Sequence, residues 1–60
     1  MDKLKMLANL KSNYGFLYLN NHGKNFAELL STAKELESEG KVKIVPPEKD
    51  RENYTIIFKG

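Results

Sequence analysis

The order of patterns in the second half of the chain constrains the fold most. A helical repeat runs from Asn25 to Glu39, with apolar residues recurring every three or four positions. Gly40 follows, where a helix can end in the left-handed conformation. Two β-rich runs come next, at 41–45 and 54–58, with a polar loop between them. This half therefore predicts a helix, a glycine stop and a β-hairpin.

The ends of these elements also carry signals. Asn25 can cap the helix, and Glu28 stands three positions later, as in a capping box. Pro46 and Pro47 lack the N–H groups that a strand donates, so the first strand should end before them. One helix face is apolar and should pack against the hairpin; it comprises Phe26, Leu29, Leu30, Ala33 and Leu36.

The first 20 residues are less regular. A helix is predicted from about Asp2 to Ser12, capped by Asp2 and carrying the stripe Leu4, Leu7 and Leu10. Residues 13–20 fit a strand by their alternating aromatics and a helix by their spacing from Leu10, and so short an apolar run does not decide between them. We place a helix there, before the turn at 20–24; a strand would instead lie beside the hairpin.

Size and composition exclude several classes of protein. Sixty residues make one domain, 1–60, with a thin core for which dimerisation is a common remedy. The absence of cysteine excludes disulfides, a zinc knuckle and a thiol nucleophile. No apolar run approaches the roughly 18 residues of a membrane span, and the N-terminus lacks a signal core. We expect a cytoplasmic protein.

Residues for catalysis or metal binding are sparse. His22 is the only histidine and lies in an Asn/Gly turn, which is typical of a surface position. The carboxylates show no ligand spacing, and Gly23-Lys24 lacks the rest of a phosphate-binding loop. We therefore expect no enzyme, no metal site and no cofactor.

Charge is divided along the chain although the net charge is only +2. Residues 1–25 carry +3, residues 26–40 carry −3 and residues 41–60 carry +2. The predicted long helix is thus acidic, and the segments on either side of it are basic. A nucleic acid would have to meet those flanking segments and avoid most of the helix.

Two motifs suggest a family. The step Leu36-Glu37-Ser38-Glu39-Gly40 resembles the Leu-Glu-x-x-Gly step that closes the recognition helix of winged helix-turn-helix regulators, and the loop Glu48-Lys49-Asp50-Arg51 resembles their charged wing tip. The resemblance covers residues 26–60 well and the first 24 poorly. It implies an α+β fold: a small winged-helix-like domain in which N-terminal helices precede a recognition-type helix and a C-terminal β-hairpin.

The same resemblance implies binding of double-stranded DNA, as a homodimer, in a transcriptional or replication accessory role. Outward polar residues early in the long helix would face the major groove, and basic residues of the hairpin would meet the backbone or the minor groove. In particular, Lys41 and Lys43 should project from one face of the first hairpin strand. The candidate DNA-binding residues are Lys24, Asn25, Ser31, Thr32, Lys41, Lys43, Lys49 and Arg51.

Two other functions remain open. The acidic helix could contact a basic partner, which would make the domain a protein-interaction module, either an adaptor or an inhibitor. Alternatively, Tyr14, Phe16 and Tyr18 could stack unpaired bases, which requires them to lie on an exposed sheet. Aromatic residues of so small a domain are more often in the core, and we expect these three there. Either the first helix, through Leu4, Leu7 and Leu10, or the aromatic segment would supply apolar surface for dimerisation.

Overall fold

The computed structural model describes residues 2–49 and 51–60, so Asp50 of the predicted wing tip lies outside the described residues. The described chain forms an α+β domain with two helices and a three-stranded antiparallel sheet. Its elements are α1 (Lys3–Ser12), β1 (Phe16–Asn20), α2 (Phe26–Ser38), β2 (Val42–Val45) and β3 (Asn53–Phe58).

The long β3 strand lies at the centre of the sheet, in the order β1-β3-β2. Asn20 at the end of β1 pairs with Asn53 at the start of β3, and Val42 at the start of β2 pairs with Phe58. Side chains alternate between the two faces of each strand. Both helices pack on one of these faces, and we call it the covered face; the other is the open face.

The helix placed at residues 13–20 is wrong, and the strand alternative is confirmed. Tyr14 and Gly15 have φ angles of +59° and +87°, and two left-handed residues in succession cannot continue a right-handed helix. The Gly15 N–H donates to the Leu10 carbonyl at 2.7 Å, which closes the turn and sends the chain into β1. Only one helix therefore precedes β1, instead of the predicted N-terminal helices, and β1 separates it from α2.

The other predicted elements are confirmed. The Asp2 carboxylate accepts the Lys5 N–H at 2.8 Å and caps α1. Gly40, at φ +77°, ends α2 in a Schellman motif, in which its own N–H donates to Glu37 and the Lys41 N–H donates to Leu36, both at 3.0 Å. The hairpin follows with strands within one residue of the predicted bounds.

The predicted side-chain cap at Asn25 does not form. Asn25 occupies the N-cap position, but its side chain makes no capping hydrogen bond; its backbone carbonyl accepts the Leu29 N–H at 2.9 Å. The start of α2 is instead held by an aromatic contact. The rings of Phe26 and Tyr54 lie 5.4 Å apart, which anchors the first turn of the helix on β3.

The core fills the space between the two helices and the covered face. Leu10 is fully buried and Leu7 packs against the core, so most of the predicted apolar stripe of α1 packs within the domain. Of that stripe, only Leu4 is exposed and could serve a second copy. The buried core residues are Met6, Leu10, Leu19, Ala33, Leu36, Val42 and Ile56.

Candidate nucleic-acid interface

The first turn of α2 and the loop between β2 and β3 lie at the same end of the sheet. The pairing of Asn20 with Asn53 brings the exit of β1 beside the entrance of β3. The imidazole Nε2 of His22 lies 3.2 Å from Oε2 of Glu52, which links the turn before α2 to the hairpin loop. We call residues 21–25, 46–49 and 51–52 together the loop end.

Four of the predicted site residues meet at the loop end. Lys24 and Asn25 immediately precede α2, and Lys49 and Arg51 belong to the hairpin loop; all four are exposed. The backbone of that loop is turned by a hydrogen bond of 3.0 Å from the Arg51 N–H to the Glu48 carbonyl. Exposed cationic residues from two separate parts of the sequence therefore lie at the same end of the sheet.

Lys41 and Lys43 lie apart from this group. Lys41 is in the turn after α2, where its Nζ is 3.5 Å from Oε1 of Glu39. Lys43 is on β2, where it pairs with Ile57 and projects from the open face. Of the two lysines predicted on one face of the strand, Lys43 lies on β2, and Lys41 stands just before its first residue, where the Lys41 carbonyl accepts the Lys59 N–H at 2.8 Å.

The exposed face of α2 differs from the prediction at Thr32. Ser31 is exposed as expected, but Thr32 is only 8% exposed and its hydroxyl donates to the Glu28 carbonyl at 3.1 Å. Thr32 lies on the buried side because it stands one turn before the core residue Leu36. Thr32 is therefore not available to a groove.

Lys34 is the residue that the sequence reasoning missed. It follows Ala27 and Ser31 at the spacing i, i+4 and i+7, so the three share one exposed stripe of α2. The helical period alone could have found it. We call Ala27, Ser31 and Lys34 the α2 stripe; together with Phe26 and Leu30 they line a shallow hollow.

Glutamates at the C-terminal end of α2 face α1 rather than the α2 stripe. The Lys3 ammonium donates a hydrogen bond to the Glu39 carboxylate and lies 3.9 Å from Oε2 of Glu35. This hydrogen bond lowers the pKa of Glu39 and raises the pKa of Lys3. Part of the acidic charge of the helix is thus balanced by α1.

Glu37 has a different partner, at the edge of the sheet. Its Oε2 accepts the backbone N–H of Ile44 at 2.9 Å. Because β2 is an edge strand, this N–H would otherwise point away from the sheet with no strand to receive it. Glu37 therefore stabilises the edge of the hairpin, and its charge is directed towards β2.

The open face carries the aromatic residues of the first half. Tyr14 is 93% exposed and Tyr18 is 61% exposed, and the ring centroids of Phe16 and Tyr18 lie 5.4 Å apart at 64°, an edge-to-face arrangement. The expectation that these rings lie in the core is wrong, and their position outside it is what stacking of unpaired bases would require. The open-face residues of the strands are Phe16, Tyr18, Asn20, Lys43, Val45, Asn53, Thr55 and Ile57.

No protein-family model matches the chain, and searches of curated proteins and of solved structures found no similar protein. In the described ranges 2–49 and 51–60, neither helix is long and apolar enough to cross a membrane. The same ranges hold no group of three or more His, Cys, Asp or Glu residues that could ligate a metal ion.

Proposed function

We propose that this chain is a small winged-helix-like protein that binds double-stranded DNA through the N-terminal half of α2 and the hairpin loop. One observation carries the proposal: Lys24, Lys49 and Arg51 are exposed in the two loops at one end of the sheet, and Lys24 stands two residues before α2. The acidic half of α2 faces Lys3 and β2 instead. The loop end also carries Glu48 and Glu52, and the Glu52 carboxylate lies beside the His22 imidazole.

Each group at this surface has a chemical role. The backbone N–H groups in the first turn of α2, with Lys24 beside them, suit a phosphate oxygen. Ala27 and Ser31 are small enough for the helix to approach base edges in a major groove, and the Ser31 hydroxyl can hydrogen-bond to them. Lys34 can reach the backbone at the groove's edge, while Lys49 and Arg51 contact an adjacent stretch of backbone or minor groove.

The order of elements supports the winged-helix assignment. A helix closed by Gly40 leads directly into an antiparallel hairpin, as the resemblance implies, and β1 adds a third strand to β3. The proposal retains the recognition-type helix and the wing, and it does not depend on a helix at residues 13–20. A transcriptional or replication accessory role in the cytoplasm follows from size and fold by analogy alone.

The test is the salt dependence of duplex binding. Fluorescence anisotropy with a labelled random duplex, from about 50 to about 200 mM salt, should show affinity falling steeply as counterions are released. The double variant Lys24→Gln/Lys49→Gln should reduce the slope of log affinity against log salt by about two, because it removes two phosphate contacts. Arg51 is left intact because it also borders the open face.

A matched control makes the same change in net charge at other positions. Lys5→Gln/Lys59→Gln removes the same charge from exposed positions outside the loop end, and it should leave most of the slope intact. Equal losses in both double variants would reduce the effect to net charge and contradict the assigned surface.

Absence of duplex binding even at about 50 mM salt would contradict DNA binding altogether and favour the adaptor or inhibitor that uses the acidic helix. In that case a basic peptide should bind wild-type protein, and Glu35→Gln/Glu37→Gln should weaken that binding.

A further inference from the structure

The open face is a second exposed surface with its own chemistry. Both helices contact the covered face, so no helix of the described chain lies against the open face. Tyr14 is 93% exposed and Tyr18 is 61% exposed, and the edge-to-face contact of Tyr18 with Phe16 is not a parallel stack. Tyr14 and Tyr18 therefore offer ring surface to the solvent.

The backbone conformation of Tyr14 is a second observation that sets this exposed ring apart. A φ of +59° is unfavourable for a bulky side chain by roughly 1–2 kcal/mol, and asparagine or glycine adopts it more readily. The Tyr14 ring does not repay this cost by burial, since the residue is 93% exposed. A strained and exposed aromatic residue of this kind is a starting point for a functional hypothesis.

The charge of the open face limits what can bind there. None of its strand residues is acidic, and Lys43 adds a positive charge beside Ile57 at the centre of the sheet. At the loop end, Arg51 lines a depression together with Tyr18 and Asn53. Glu52 also lines that depression, but its carboxylate lies 3.2 Å from the His22 imidazole.

We propose that the open face binds single-stranded DNA, with bases stacked on Tyr14 and Tyr18 and phosphates near Lys43 and Arg51. Exposed rings with flanking cations match a chain that has both unpaired bases and negative charge. A duplex does not fit, because its base faces are hidden in the stack. A second copy of the protein would bring Lys43 against a face whose strand residues include no carboxylate to balance it. This surface differs from the one proposed for duplex DNA except at Arg51, which borders both.

The ring contribution is tested with an oligothymidylate of about 15 nucleotides, long enough for a site of this kind. Binding should quench tyrosine fluorescence. The variant Tyr14→Asn/Tyr18→Thr should lose at least about tenfold in affinity, since each stacked base contributes about 1–3 kcal/mol. Asparagine tolerates the left-handed backbone and threonine favours a strand, so the urea midpoint should not fall.

Two controls separate stacking from general damage. Leu4→Ala removes another exposed apolar side chain, from α1, and should leave oligothymidylate affinity unchanged. Lys43→Gln should weaken oligothymidylate binding and Lys34→Gln should not, because the two lysines lie on opposite sides of the sheet. With a random duplex, Lys34→Gln should weaken binding more than Lys43→Gln does.

Several results would overturn the proposal. These are no oligothymidylate binding at about 50 mM salt, equal affinity of the wild-type protein and the tyrosine double variant, or tighter binding of an oligouridylate, which would assign the face to RNA. Sedimentation equilibrium provides a further test: a wild-type dimer that the double variant converts to a monomer would make the open face a self-association surface. Loss of oligothymidylate binding in the double variant, with duplex affinity retained, supports the proposal. If the wild-type protein binds oligothymidylate but not duplex DNA, only the proposed function is contradicted.

Discussion

The two faces of the sheet are built from the same strands, but one is packed under the helices and the other is exposed. On β3, Ile56 points to the covered face and is fully buried, whereas its neighbour Ile57 points to the open face and is 38% exposed. Apolar character alone does not distinguish them, because β1 carries apolar or aromatic residues on both faces. The difference teaches that helix placement decides which side becomes core and which side remains available for binding.

The largest expected effect compares these neighbouring isoleucines. Ile56→Ala should destabilise the protein by about 2–5 kcal/mol, because it leaves a cavity in the only core that so small a domain has. Ile57→Ala should cost about 1 kcal/mol or less, since part of its side chain is already in water. Urea denaturation measures both, and equal losses would contradict the distinction between the faces.

The turn at Gly40 holds α2 against the covered face, and its conformation gives the next prediction. A Cβ at this position would meet nothing within 4 Å, so substitution should cost only backbone strain. Gly40→Ala should lower stability by roughly 1–2 kcal/mol at φ +77°, and Gly40→Asn should lower it less. A thermal melt in which both variants match wild type would show that the left-handed conformation is not needed there.

The outer side of α2 can be tested along its length. Ser31→Glu should weaken duplex binding about fivefold, because a carboxylate on the α2 stripe meets the DNA. Ser38→Glu places the same charge about 10 Å further along the helix and should have much less effect. Anisotropy titrations compare the two, and an equal or larger loss at Ser38 would move the contact to the C-terminal half of α2.

The smallest expected effect comes from the ion pair between Lys3 of α1 and Glu39, which follows α2. The pKa of Glu39 is lowered by the hydrogen bond from Lys3, so its contribution to stability is present above the ordinary glutamate pKa and is lost as pH falls through the lowered value. The pKa of Lys3 is raised, so its contribution is lost only as pH rises through that raised value.

Glu39→Gln should therefore lower stability slightly from about pH 5 to about pH 10, and the difference should disappear in acid once the pH has fallen through the lowered pKa of Glu39. Urea midpoints measured across this range check it. A difference that persisted unchanged at low pH would show that packing, rather than charge, underlies the effect.

The local parts of the fold were predictable from sequence. The helix ending at Gly40 and the hairpin interrupted by Pro46 follow from residue preferences that act over a few positions. The segment 13–20 was not predictable, because its pattern suits both structures and its state depends on Tyr14, Gly15 and distant pairing with β3. The local sequence pattern carries no information about pairing with a strand that is distant in the sequence.

The candidate site was predictable only in part for the same reason. Lys24 and Lys49 are far apart in sequence, and they share the loop end only because β1 pairs with β3. The prediction that Thr32 is exposed was wrong for a different reason. Its position on the helix places it towards the core, and the polar character of threonine does not reveal this. The aromatic residues likewise could not be assigned to core or surface until both helices were placed on one face.

The most direct test of the account follows backbone amide chemical shifts during titration with a short random duplex. Shifts should move most in residues 21–25, in the α2 stripe and in the hairpin loop, whereas those of Phe16, Tyr18, Thr55 and Ile57 on the open face should stay nearly constant. Changes centred instead on the open face or on the Lys3–Glu39 contact would contradict duplex binding by the loop end.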